Sequence, residues 1–148
     1  MKDCFTQRLK GLFRRKCRPA PRPAHEPTRR TIRMMDELEK DLLPRYLAEK
    51  GYRHPDRTLE DTAARMGTEK GILQRYFSER KHIDFRTWRT RLRIEEARRL
   101  LLEEPDTPVS VISARVGFSN RSNFSRQFAS YAGMPPDRWR KRKLTDGS

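Results

Sequence analysis

Two cysteines, three histidines and seven glycines among 148 residues put several protein classes out of reach. Cys4 and Cys17 both lie near the N-terminus, which does not suit a disulfide scaffold. Two thiols cannot complete a tetrahedral zinc site without histidines at suitable spacing, and His25, His54 and His82 are scattered. No apolar run approaches the ~18 residues needed to span a bilayer. The N-terminus lacks the continuous apolar stretch of a secretory signal. Paired carboxylates, a phosphate-cradling glycine loop and a Ser-His constellation are equally missing, so neither catalysis nor a metal or other cofactor is expected. Hydrophobic residues make up only 34% of the chain, enough for one domain or two very small ones sharing a core. The expectation is a reduced, cytoplasmic, non-enzymatic protein.

Charge is abundant, and mostly of one sign. Lys and Arg number 35 against 20 acidic residues, a net charge of +15. Folding does not require such an imbalance, which points to a polyanionic partner: nucleic acid first, an acidic membrane surface second. Residues 1–33 carry 11 basic and two acidic residues, leaving +6 for the remainder.

Arg18 to Arg30 holds four prolines and no apolar periodicity, as an extended linker does. Before it, Phe5, Leu9, Leu12 and Phe13 fall at helical spacing among basic residues. That segment could lie on a membrane surface or lean on DNA phosphates, but such a segment is more often a disordered arm, and no specific site is read in it. We read residues 1–33 as basic arm and linker, without membrane contact, and residues 34–148 as the folded part. From Met34 onward the periodicity is helical and no stretch resembles a strand. A first helix is expected from about Met35 to Lys50, kinked at Pro44 or beginning there.

An internal repeat carries the most information. Leu59, Ala63, Met66 and Gly67 are matched about 50 residues later by Val109, Ser113, Val116 and Gly117. Leu73-Gln74-Arg75-Tyr76-Phe77 then corresponds to Phe124-Ser125-Arg126-Gln127-Phe128, with Phe118 as one extra turn residue. Each unit has helix-turn-helix grammar: a small residue where two helices cross closely, then a glycine for the turn. Capping signals agree, with Thr58 and Asp61 before the first unit, Thr107-Pro108 before the second, and Ser119 or Asn120 before its last helix.

Asp84 should cap a helix from about Phe85 to Glu103, roughly 28 Å long at 1.5 Å per residue. Phe85, Trp88 and Leu92 line one face of its first half, whereas Ile94, Ala97 and Leu101 project from nearly the opposite face of its second half. A strut between two small cores needs that arrangement; a single continuous bundle is the alternative. The fold class expected is all-α: two helix-turn-helix subdomains (about 58–80 and 107–133), a linker helix (about 84–103) and a final helix (about 136–143), about seven helices in all.

The stretches LEDTAARMG, LQRYF, FRTWRTRLRIEEARRLLLE, GFSNRSNFSRQF and GMPPDRW resemble the DNA-binding domain of the arabinose-regulator (AraC/XylS) family of transcription regulators. The resemblance covers a little over half the chain. It implies two recognition helices in successive major grooves of double-stranded DNA. The family usually has Ser where Glu69 stands, Gly at His82 and Ala at Ser113. At position 71, where relatives place a large base-contacting side chain, this chain has Gly71.

If Leu73 and Phe77 face inward, Gly71, Gln74, Arg75 and Ser78 turn outward. If Phe124 and Phe128 do, Ser122, Ser125 and Arg126 turn outward, with Arg121 and Asn123 near the helix N-terminus. Transfer of the family's contact positions lands on Gln74, Arg75, Arg121, Ser122 and Arg126. Arg suits guanine, and Gln or Asn suits adenine. Lys70, Arg80, Lys81 and the run Arg138 to Lys143 read as phosphate contacts or plain surface. Trp88 and Trp139 read as core. RNA polymerase is a further candidate partner. Fewer than 60 residues precede the first unit, so no small-molecule sensing is expected. The alternative function is a basic helical module binding RNA or a protein without DNA sequence preference.

Overall fold

The structure is a computed structural model, and it describes residues 25–55 and 58–147. Cys4, Cys17 and the amphipathic stretch from Phe5 to Phe13 lie outside the described residues. Among the described residues the chain is all-helical, with seven helices and no strands. Helix α1 comprises Arg29–Glu37, a π turn Leu38–Leu42 and Leu43–Ala48, and a 3-10 turn Gly51–Arg53 follows. Then come α2 (Leu59–Met66), α3 (Lys70–Tyr76, extended by a π turn Phe77–Lys81), α4 (Phe85–Glu103), α5 (Val109–Arg115), α6 (Arg121–Ala132) and α7 (Pro136–Asp146).

Helix α1 starts six residues before the expected Met35, because Thr28 caps it: its side chain accepts from the Thr31 amide at 3.2 Å. Pro44 does not break the helix. The preceding turn widens instead, with the Leu43 amide donating to the Leu38 carbonyl five residues back. A π turn there gives the proline ring, which lacks an N–H and crowds the carbonyl four residues back, a place to sit.

Two cores form, one on each side of α4. Met35, Leu38, Tyr46, Ala63, Leu73, Tyr76, Phe77, Phe85 and Leu92 lie in the first, with Trp88 packed against it. Ile94, Ala97, Leu101, Val109, Ile112, Val116, Phe124, Phe128 and Trp139 lie in the second. The split of apolar positions along α4 is thus realised as two opposite buried faces, the strut expected from the sequence. Tyr46, Phe77, Phe85 and Trp88 make an aromatic cluster, with Phe77 4.9 Å from Trp88. Phe118, Phe124, Phe128 and Trp139 form a chain of ring contacts at 5.2 to 5.6 Å. The extra turn residue Phe118 therefore serves the second core, and Trp139 belongs there too.

The caps hold the units in shape. Thr58 and Asp61 form a complete capping box, both bonds at 3.1 Å. Asp84 accepts from the Thr87 amide at 2.8 Å, and Asn120 from the Asn123 amide at 2.9 Å. Thr107 departs from expectation. Pro108 occupies the N-cap position of α5 without a side-chain cap bond. The Thr107 hydroxyl turns to Glu104 (3.1 Å), and its carbonyl accepts from Arg140 (2.6 Å). Ala63 and Ser113, 1% and 2% exposed, mark the close helix crossings, while Gly67 (φ +80°) and Gly117 (φ +97°) make the turns.

Candidate nucleic-acid interface

Helix α3 rests on α1 and α2 through Ile72, Leu73, Tyr76 and Phe77, all buried. Its opposite face carries Lys70, Gly71 and Gln74, all exposed. Lys70 is ion-paired to Glu60 of α2, and that pair holds the Glu60 carboxyl below its ordinary value. Glu69, at the N-cap position of α3, makes no side-chain cap bond and lies 3.7 Å from Arg30 in a fully solvated pair. The first turn of α3 is therefore weakly secured, as a cap without Ser, Thr, Asp or Asn implies.

Arg75 does not project freely as helical geometry had suggested. Its side chain is only 17% exposed, with Nε donating to Glu79 at 2.8 Å and Nη2 donating to the His25 carbonyl. A helical wheel places the Cα correctly, but it does not show that a carboxylate one turn on and the incoming chain will draw the guanidinium aside.

Helix α6 is the cleaner surface. Phe124 and Phe128 are wholly buried beneath it. Arg121, Ser122, Asn123 and Arg126 are exposed, and Ser125 is half-buried beside them. Arg121 approaches Asp137 at 3.9 Å, both side chains solvated. Arg126 enters no ion pair among the described residues. The other basic candidates divide. Arg80 is bound by Asp36 at 2.6 Å and Glu39 at 2.7 Å, which ties the end of α3 to α1, and Asp36 and Glu39 hold its guanidinium above its ordinary value despite partial burial. Lys81 lies 3.9 Å from Glu39. Arg140 anchors Thr107, whereas Arg138 and Lys141 to Lys143 stay exposed.

The eight candidate contact residues thus fall into two groups, three on α3 and five on α6. Among the described residues no group of three His, Cys, Asp or Glu could hold a metal ion, and no helix is long and apolar enough to cross a membrane. Sequence reasoning missed the residues joining the two units: Arg93, 8% exposed on α4, and Glu96, whose side chain is 9% exposed. A charged residue within an apolar helical stretch was the available signal.

The same two-unit pattern recurs in known proteins. The family model described as "Helix-turn-helix domain" matches residues 62–142. The chain is 44% identical over 55 residues to an uncharacterized HTH-type transcriptional regulator, YobQ, of Bacillus subtilis (37% of this chain, 22% of that protein). It is 37% identical over 93 residues to the transcriptional activator NphR of a Rhodococcus species (63% of this chain, 27% of that protein). The match therefore spans about a quarter of each of these relatives. In structure it resembles the C-terminal domain of the two-component response regulator YesN from Fusobacterium nucleatum, with TM-score 0.58 and 26% identity over 66% of this chain and 94% of that one. The C-terminal domain of AraT, a response regulator from Geobacillus stearothermophilus, shares the fold with TM-score 0.56 and 24% identity over 80% and 88%. Two helix-turn-helix units joined by one long helix, together with a family match over more than half of the sequence, show that the chain belongs to the helix-turn-helix domain family of the AraC type.

Proposed function

We propose that this chain binds double-stranded DNA sequence-specifically and regulates transcription, with α3 and α6 each entering a major groove. The outer face of α6 carries this reading. Two buried phenylalanines fix the helix from below, and Arg121, Ser122, Asn123 and Arg126 stand in solvent above them. Among the described residues Arg53, Arg75, Arg80, Arg93, Arg99 and Arg115 are committed to carboxylates or carbonyls, whereas the Arg126 guanidinium enters no ion pair and is available to a partner. A net charge of +15 supplies attraction to phosphates.

In this arrangement Arg121 and Arg126 offer forked donors to guanine, and Asn123 and Gln74 have the chemistry for adenine. Ser122 and Ser125 suit a base edge or a phosphate, and Lys70 a phosphate. Arg75 contributes after exchanging its internal partners for DNA. Gly71 offers no side chain, so α6 supplies more of the discrimination than α3. RNA polymerase is a candidate partner for a regulator bound in this way. The relatives are bacterial transcription regulators, and the reading places this protein beside the chromosome, in the cytoplasm.

Selection of bound duplexes from a random pool by the full chain, followed by footprinting, tests the proposal. The expected result is an enriched site with two protected blocks centred about 10 base pairs apart on one face. Uniform recovery of all sequences, or protection confined to one groove, would overturn it.

A further inference from the structure

The two units do not meet only through the strut. We infer that the 3-10 turn Gly51–Arg53 is a clasp setting the angle between the two helix-turn-helix units, and that Arg93 is the positioning residue holding it closed. The consequence for DNA rests on the function proposed above; the clasp itself does not.

The turn belongs to the first unit, since Tyr52 is buried in the first core. Arg93 projects from the middle of α4, and its Nε donates to the Tyr52 carbonyl at 2.5 Å while Nη2 donates to the His54 carbonyl at 2.7 Å. The same guanidinium lies 5.7 Å from the ring of Phe118 in the turn of the second unit. Beside it, Gly117 abuts the clasp so closely that a Cβ there would lie 2.4 Å from the Arg53 carbonyl oxygen and 3.0 Å from Arg93 Cζ. Main chain of one unit thus touches main chain of the other. Three residues along α4, the Glu96 carboxylate takes Lys50 at 3.0 Å, Arg53, and Arg99 at 2.9 Å.

These contacts share a physical logic. A planar fork satisfies two carbonyls at once, which a lysine ammonium on a flexible stem does not do in this geometry. Losing the fork removes two charge-assisted bonds at the junction, the one to the Tyr52 carbonyl in a buried setting. With the clasp closed, the two reading helices have their relative orientation before DNA arrives. A rigid pair of heads gains from simultaneous engagement at one spacing and loses that gain when the spacing changes.

The test has a DNA-free arm and a DNA arm, both on the full chain carrying Cys4→Ser and Cys17→Ser. Spin labels are placed through Ala64→Cys and Ser130→Cys, both exposed positions, one on each unit. Pulsed dipolar spectroscopy should give one narrow distance distribution, broadened about twofold by Arg93→Met and by Arg93→Lys as the ensemble spreads. Unchanged width in variants that keep their helical circular dichroism would overturn the clasp, whatever the chain binds. If Arg93→Met fails to fold, Arg93→Lys, which keeps the charge and loses the fork, carries the readout. In the DNA arm, the duplex selected by the unsubstituted chain receives two extra base pairs between its halves, a rotation of about 70°. The unsubstituted chain should lose about tenfold or more in affinity, and Arg93→Met no more than about threefold relative to its own uninserted site. Equal penalties would overturn the positioning role. Failure of the unsubstituted chain to select any duplex would defeat the proposed function instead, with the spectroscopic arm still deciding the clasp.

Discussion

Arg75 and Glu79 stand one helical turn apart on α3, Nε to Oε1 at 2.8 Å, with the same guanidinium also bound to the His25 carbonyl. Its counterpart in the repeat, Arg126, is exposed and makes no ion pair among the described residues. The two arginines match in sequence position and differ in availability.

Arg126→Ala is expected to weaken binding by about 1–3 kcal/mol and to relax preference at one base position. Arg75→Ala should cost less than about 1 kcal/mol, because Glu79 and the His25 carbonyl already hold its guanidinium to one side. Anisotropy titrations on a selected duplex decide the matter. An Arg75 penalty as large as that of Arg126 would show that its internal bonds are given up freely.

Burial alone would raise the Glu96 carboxyl, but hydrogen bonds from Arg99, Lys50 and Arg53 outweigh it and bring it to about 2. A carboxyl depressed on folding contributes stability that is present above its ordinary value of 4.5 and lost as pH falls through about 2. Glu96→Gln should therefore lower stability by about 1–2 kcal/mol at neutral pH and flatten the acid limb below 4.5. Urea melts across pH 2 to 7 would show this; parallel curves for the two proteins would refute it.

Glu69→Ser should give α3 the cap it lacks and stabilise the chain by about 0.5–1 kcal/mol. The Arg30 pair that it removes is solvated on both sides and worth little. Thermal melts provide the check, and a fall in Tm would mean that Glu69 serves α3 in another way.

Gly71 lies inside α3 with nothing within 4 Å of where a Cβ would sit. Gly71→Ala should therefore stabilise the helix by up to about 1 kcal/mol without a clash. His82, at φ +55°, is strained where a glycine would be at ease, and His82→Gly should gain about 0.5–1 kcal/mol after the entropy of the unfolded glycine is counted. Neither change should alter which duplexes are selected. A Tm shift of the opposite sign in either variant would contradict this account of the first unit.

Much of this architecture could be read from residue spacing. Ala63 and Ser113 marked the helix crossings, Gly67 and Gly117 the turns, and the opposed apolar groups of α4 the two cores. Those features are local, or repeat with the helical period, so side-chain size and backbone freedom suffice to infer them. Thr107 was harder: its hydroxyl had a choice between a helix amide and Glu104, and the carboxylate carried by the end of α4 won. The start of α1 was misplaced because the linker composition masked the cap at Thr28.

The sequence by itself determined that the chain makes two similar helical units, each with a polar outer face over an apolar underside, because periodicity and turn chemistry act within a few residues. Only the tertiary structure decided which arginines stay available and how the units are joined. Arg75, Arg93 and Arg126 have the same side chain, and their difference arises from neighbours distant along the chain: His25 for one, Tyr52 and His54 for another, solvent for the third. A guanidinium is long and flexible, so its partner is set by what folding brings within its reach.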